Sequence, residues 1–133
     1  MICVYRQKAV MCAVPYHTTQ GGAMVMDATI IPLSNTSPKQ IGAIILEAFA
    51  LVRNNVAYPN DIDQRYSKLL EYFSCERRLF AKRVSMAEVL LDGKVIHISF
   101  MKANGAAYVP TNETVEIPAD AIELGTTLLA RLS

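Results

Sequence analysis

The sequence predicts an α+β protein, an antiparallel sheet with packed helices, built on a duplicated strands-then-helix plan. One observation is a unit that occurs twice. Thr29-Ile30-Ile31-Pro32 leads through Ser37 into Ile41-Gly42-Ala43-Ile44-Ile45-Leu46, and Thr114-Val115-Glu116-Ile117-Pro118 leads through Asp120 into Leu124-Gly125-Thr126-Thr127-Leu128-Leu129. Each copy reads as a strand ended by proline, a helix cap, and a helix with glycine in its first turns. A second is Asp92-Gly93 between two apolar runs, the strongest two-residue hairpin signal in the chain. The third is the recurrence of Ile41, Ile44, Ile45, Ala48 and Val52 at helical spacing.

Taken in order, residues 2–5 add an edge strand. Residues 9–14 and 23–31, rich in Val, Ile, Met and Ala, read as a hairpin or two sequential strands around the turn-forming His17 to Gly22. Ser37-Pro38-Lys39-Gln40 supplies a cap, a proline at the first helical position and a Gln that reaches back to the cap, so a helix runs over about 37–54. Tyr58-Pro59-Asn60-Asp61 breaks it. Asp61 with Gln64 starts a second helix with Tyr66, Leu69, Leu70 and Phe73 on one stripe, and 74–81 forms a further helical turn presenting Leu79 and Phe80. Strands follow over 84–91 and 94–102. In the latter Ile96, Ile98 and Phe100 share the core face, while His97 and Ser99 share the more polar one. After a loop at 103–106 come a short strand at 107–109 and another at 113–117. Asp120 and Glu123 then cap a terminal helix that buries Leu124, Leu128, Leu129 and Leu132.

A chain of 133 residues with 52% hydrophobic content builds one core without disulfides or a structural metal, so residues 1–133 form a single domain. The formal net charge of +1 provides no global field toward nucleic acid or an anionic membrane. Cys3, Cys12 and Cys75 are odd in number and widely spaced, which suits free buried thiols in a reducing, cytoplasmic compartment. The first eight residues lack the pattern of a signal peptide, and no apolar stretch reaches membrane-spanning length.

No constellation reads as catalytic. Asp61 and Asp63 alternate at a helix start, where carboxylates favour the helix dipole. His17, His97 and the cysteines show none of the short spacings of a metal site. Gly21-Gly22 lacks the residues of a phosphate cradle, and Gly42 and Gly125 read as points of close approach between helix and sheet. Neither a cofactor nor a small-molecule substrate is implied. Arg77, Arg78, Lys82 and Arg83 surround Phe80, a combination that binds phosphate and stacks a base, although a short run of this kind usually belongs to a solvated helix end. Tyr16, Tyr58 and Tyr108 lie in predicted loops beside Pro15, Pro59 and Pro110, where tyrosine serves as a rigid anchor for a protein partner.

The middle and end of the chain resemble the immunity proteins of bacterial contact-dependent growth inhibition systems. The resemblance lies in Ile41-Gly42 with Leu46, Ala48 and Leu51; Tyr58-Pro59 with Leu69 and Leu70; Phe80 with Lys82, Val89 and Ile96; Pro110 with Ile117-Pro118; and Glu123-Leu124-Gly125 with Leu128-Leu129. It covers about residues 30–132, and the duplicated plan is also similar to the Whirly-type fold, from which inserted helices at 61–81 depart. It implies a cytoplasmic, non-catalytic antitoxin whose partner is the C-terminal toxin domain, often a nuclease, of a large secreted effector. Nuclease clefts are basic, so acidic side chains flanked by aromatics are the expected contacts: Tyr58, Asp61 and Asp63 near the mid-chain break, and Tyr108, Glu113 and Glu116 near the last strand. The rival expectation is a single-stranded nucleic-acid binder using its sheet face, Lys94, Lys102 and the Arg77–Arg83 cluster.

Overall fold

The computed structural model describes all residues 1–133. Seven strands form one antiparallel sheet: β1 (Ile2–Gln7), β2 (Val10–Thr18), β3 (Met24–Met26), β4 (Ile31–Pro32), β5 (Ser85–Asp92), β6 (Val95–Asn104) and β7 (Ala107–Pro118). Their order is β3-β2-β1-β5-β6-β7, with β4 pairing β2 beside β3. The helices are α1 (Pro38–Ala48), α2 (Ile62–Tyr72), the short α3 (Phe80–Arg83) and α4 (Ala121–Arg131).

β1 lies at the centre of the sheet, between β2 and β5, not at its edge. Its apolar run Ile2-Cys3-Val4-Tyr5 is buried on both faces, and alternation assigns the residues to two cores. Ile2 and Val4 join Met11, Ala13, Ala87, Val89, Ile96, Ile98 and Phe100 beneath α1 and α4. Cys3 and Tyr5 join Cys12, Val14, Met86 and Phe80 beneath α2 and α3. The protein is thus a helical pair, a sheet and a second helical layer, and the inserted helices cover the face that the repeated ones leave open.

The duplication is visible as an approximate two-fold relation about the β1–β5 pair. β2 flanks one side as β6 flanks the other, and α1 follows β4 as α4 follows β7. The glycines serve that relation. A Cβ on Gly42 would lie 2.6 Å from Ala121 Cα and nearer still to the Ala121 carbonyl, and a Cβ on Gly125 would lie 2.9 Å from Pro38 Cα and nearer still to the Pro38 carbonyl. Each glycine therefore admits the first turn of the other helix. The close approach is between helix and helix, a correction to the expected contact of helix with sheet.

Several local expectations hold. Ser37 Oγ accepts from Gln40 N at 3.2 Å while Gln40 Oε1 accepts from Ser37 N at 3.1 Å, closing the capping box. Asp120 caps α4 by accepting from Glu123 N at 2.9 Å. Arg6, projecting from β1, donates to the Leu129 and Leu132 carbonyls at 2.9 and 2.8 Å and completes the C-terminal end of α4. Others change. The stretch expected as one strand over 23–31 divides into β3 and β4, and the two short strands at 107–109 and 113–117 are one strand, β7, with an irregular register opposite Phe100. Thr111 Oγ1 fills that irregularity, donating to Phe100 O at 2.6 Å and accepting from Glu113 N at 3.0 Å. β7 is an edge strand, which is why it tolerates Pro110 and Pro118. Tyr16 and Tyr108 consequently lie in strands rather than loops.

The cysteines are free, Cys3 and Cys12 being buried and Cys75 half-buried. Burial pushes the Cys12 thiol up to about 12 and the Cys3 thiol well above its ordinary range. A thiol reagent at pH 8 is expected to titrate only Cys75 in the native protein and all three cysteines once it is unfolded. Rapid native labelling of two or more thiols would contradict this burial. No helix is long and apolar enough to cross a membrane.

Candidate functional site

A groove of about 460 Å³ opens between β3, the start of α2 and the β6–β7 turn. Its walls include Met24 and Met26 from β3, Tyr16 from β2, Tyr58 from the mid-chain break, and Ile62, Asp63 and Tyr66 from α2. Arg77 and Ala106 complete the mouth. The local sequence explains the arrangement: Pro59 breaks the chain after Tyr58, and α2 restarts so that its Tyr66, Leu69 and Phe73 stripe packs on the sheet while Asp63 faces out. Tyr58 is 67% exposed, the most exposed of the large hydrophobic side chains, and Met24 is exposed beside the same groove. A second depression, lined by Tyr58 through Gln64, adjoins the groove.

The charges of this region are only partly paired. Arg65 Nε lies 2.9 Å from Asp61 Oδ1, but its N–H is not aligned on that oxygen, so the nitrogen is buried without a hydrogen bond. The Arg65 guanidinium donates instead from Nη1 to Met26 O at 2.9 Å, tying α2 to β3. Asp63 is 94% exposed, with Arg77 Nη2 at 3.8 Å from Oδ1 as its ion-pair partner. The Arg77 guanidinium lies 4.7 Å over the Tyr66 ring. Burial raises the Tyr66 hydroxyl above its ordinary value, and the charge of Arg77 partly offsets this.

The six residues singled out in the sequence do not form one patch. Tyr58, Asp61 and Asp63 come together at the groove and its adjoining depression. Tyr108 lies beneath the same region as part of its foundation: its hydroxyl donates to Val84 O at 2.6 Å and its ring stands edge-on to Tyr5 and Phe80. Glu113 projects toward the α1–α4 layer and pairs with Arg131 at 3.1 Å. Glu116 sits on the opposite face, paired with His97 at 3.3 Å. The two β7 carboxylates thus point away from each other. Met24, Met26, Ile62 and Tyr66 carry no signal of a site in the sequence: the methionines read as part of an apolar strand, in which Met26 is indeed core and only Met24 is exposed, and Tyr66 reads as part of the apolar stripe of α2.

The basic cluster does not form a nucleic-acid surface of the expected kind. Phe80 is 1% exposed at the centre of the aromatic core and cannot stack a base. Nor does a buried histidine offer a base. His17 Nδ1 accepts from Arg53 N at 2.9 Å and Nε2 donates to Asp27 Oδ1 at 2.7 Å, so both ring nitrogens are occupied in holding the segment after α1 against β2. No group of three His, Cys, Asp or Glu converges to hold a metal ion.

Partial burial raises the Asp27 carboxyl, but the bonds from His17 and Thr29 outweigh it and hold it below the usual carboxylate range. A carboxyl depressed in the folded state stabilises the fold above its unfolded value, and that contribution is lost as pH falls through the folded value. The urea midpoint is therefore expected to fall below about pH 5, and Asp27→Asn to make the decline shallower. An unchanged acid limb in that variant would place the loss in other carboxylates.

No protein-family model and no curated protein matches this chain. Among the solved structures that match are two that share its fold. A protein of unknown function from Neisseria meningitidis superposes with a TM-score of 0.77 and 17% identity, covering 96% of this chain and 90% of its own. A chain of the CdiA-CT/CdiI toxin and immunity complex from Yersinia pseudotuberculosis superposes with a TM-score of 0.75 and 16% identity, covering 99% of this chain and 96% of its own. The architecture of the whole chain is therefore similar to that of a component of a toxin and immunity complex.

Proposed function

We propose that this protein is a non-catalytic immunity protein that binds the C-terminal toxin domain, a nuclease, of a cognate contact-dependent growth inhibition effector and blocks it in the cytoplasm. The observation that carries this is the shared fold over 99% of the chain with a component of a toxin and immunity complex. The groove beside Tyr58 supplies a surface suited to the task, with an exposed aromatic anchor, a soft methionine wall and a solvated carboxylate. A specific interface needs about 800 Å² per partner, so the groove is the centre of the contact rather than all of it. Blocking demands no chemistry of the immunity protein; it has only to occupy the cleft that its partner uses.

The test is co-purification with the C-terminal domain encoded immediately upstream, joined to growth of cells expressing that domain with and without this protein. Binding with rescued growth is expected. Within that complex, Tyr58→Ala is expected to weaken binding by about 2 kcal/mol, a loss of roughly thirtyfold, while leaving the melting temperature unchanged. Retained affinity in this variant would move the interface away from the groove, and absence of both binding and rescue would remove the proposal.

A further inference from the structure

The groove already contains a cation of the protein's own. Arg77 places its guanidinium 4.7 Å over the Tyr66 ring and 3.8 Å from the Asp63 carboxylate, while Tyr58 stands exposed on the same groove. An aromatic face and a carboxylate on either side of one cation, with a second exposed aromatic lining the same groove, form the chemistry that recognises an ammonium or guanidinium group. Arg77 is held there loosely. Its side chain is 58% exposed, its ion-pair partner is 94% exposed at a long separation, and such contacts in water contribute little.

We propose that this site receives a lysine or arginine side chain of the partner protein, and that Arg77 is a placeholder which swings aside when it enters. The inference rests on the proposed role as a binder of a toxin domain and names the chemistry that the groove selects. The exchange is favourable for a physical reason. The outgoing Arg77 leaves an exposed contact for water, whereas the incoming cation is sealed by the interface, and a cation over an aromatic ring is held more strongly once solvent is excluded. Asp63, which has no other ion-pair partner, neutralises the arriving charge. Met24 and Met26 line the path along which the aliphatic stem of the arriving side chain would lie.

The first test requires no toxin. The isolated protein is titrated with N-acetyl-arginine amide, with N-acetyl-norleucine amide as the uncharged control, and the Tyr58 and Tyr66 ring protons are followed by NMR. A saturable shift with the arginine probe alone is expected in Arg77→Gln, where the placeholder is gone, much weaker in the wild-type protein, whose tethered Arg77 competes with no interface to seal the probe, and several-fold weaker when Asp63→Asn is added to Arg77→Gln. Equal shifts from both probes, or weaker binding in Arg77→Gln, would overturn the proposal. The second test measures the toxin complex, in which Tyr66→Leu is expected to lower affinity about tenfold and Arg77→Gln to raise it. A responsive groove with no toxin binding would sink only the immunity role; toxin binding with a groove indifferent to the arginine probe would sink only the cation site.

Discussion

Gly42→Ala is expected to destabilise the protein by about 3 kcal/mol, although the same change in an exposed helix interior stabilises by roughly 1 kcal/mol. The reversal of sign comes from what the new methyl group would meet. At Gly42 it is the Ala121 backbone on the first turn of α4, 2.6 Å away at Cα and closer at the carbonyl. Backbone cannot rotate aside as a side chain can, so the two helices must separate. Separation opens the layer that covers Ile41, Ile45, Leu124 and Leu128 and costs more than the helical preference of alanine returns. For a chain of this length the loss corresponds to a fall in melting temperature on the order of 10 °C. Gly125→Ala meets the Pro38 backbone in the same way and is expected to cost as much. The double variant should lose less than the sum, because helices already parted by one methyl group accommodate the second. Thermal or urea denaturation of the three variants decides this, and a stabilised Gly42→Ala protein would mean that the helices do not cross there.

Those two glycines mark the boundary of what the sequence discloses. Their place in the repeated unit was legible, as was their role in close approach. What approached them was not, because a helical glycine looks the same whether it faces strand or helix. Several local signals are legible in the sequence, although Asp61 stands at the start of α2 without a side-chain capping bond and the helix expected over 37–54 ends as α1 at Ala48. The Ser37–Gln40 capping box and the Asp120 cap each span a single turn, and the Asp92-Gly93 hairpin brings Val95 opposite its neighbour Asp92. Long-range pairing was less accessible. Ile2 to Tyr5 carry the continuous apolar run of a strand buried on both faces, yet the sequence reading places residues 2–5 at an edge. Its partner β5 lies 79 to 87 residues away along the ladder, from Arg6 with Ser85 to Ile2 with Val89, a pairing that no window of sequence contains. Tyr16 and Tyr108, expected in loops, lie in β2 and β7, and β7 accommodates Pro110 because it lies at the sheet edge. At the candidate site, Tyr58, Asp61 and Asp63 were legible because they are consecutive or nearly so. Glu113 and Glu116 were grouped by the same reasoning and fell on opposite faces, since an odd separation along a strand reverses the side.

Phe80→Ala should be the most damaging single change to the other face, at about 3–5 kcal/mol. Its ring, 1% exposed, lies 5.7 Å from Tyr5, 6.0 Å from Tyr66, 5.8 Å from Phe73 and 6.2 Å from Tyr108, centroid to centroid. It touches the central strand, the edge strand and α2 together. Removing it leaves a cavity that the sheet cannot collapse to fill, because β1, β5 and β6 are fixed by their ladders and by the α1–α4 core behind them. The inserted layer has fewer anchors: Leu69 and Phe73 hold α2 to the sheet, and the Arg65 bond to Met26 holds its start. Damage is therefore expected to be uneven. Amide hydrogen exchange in Phe80→Ala should accelerate most in α2 and α3, and much less in β1, β5, α1 and α4. Binding should fall with it, since Tyr58, Asp63 and Tyr66 are positioned by that layer, and it should fall far further than fold loss alone predicts at temperatures where the sheet persists. Uniform acceleration across both layers would instead show one cooperative unit. In that case the groove would be as rigid as the sheet beneath it, and Tyr58→Ala alone would separate binding from stability.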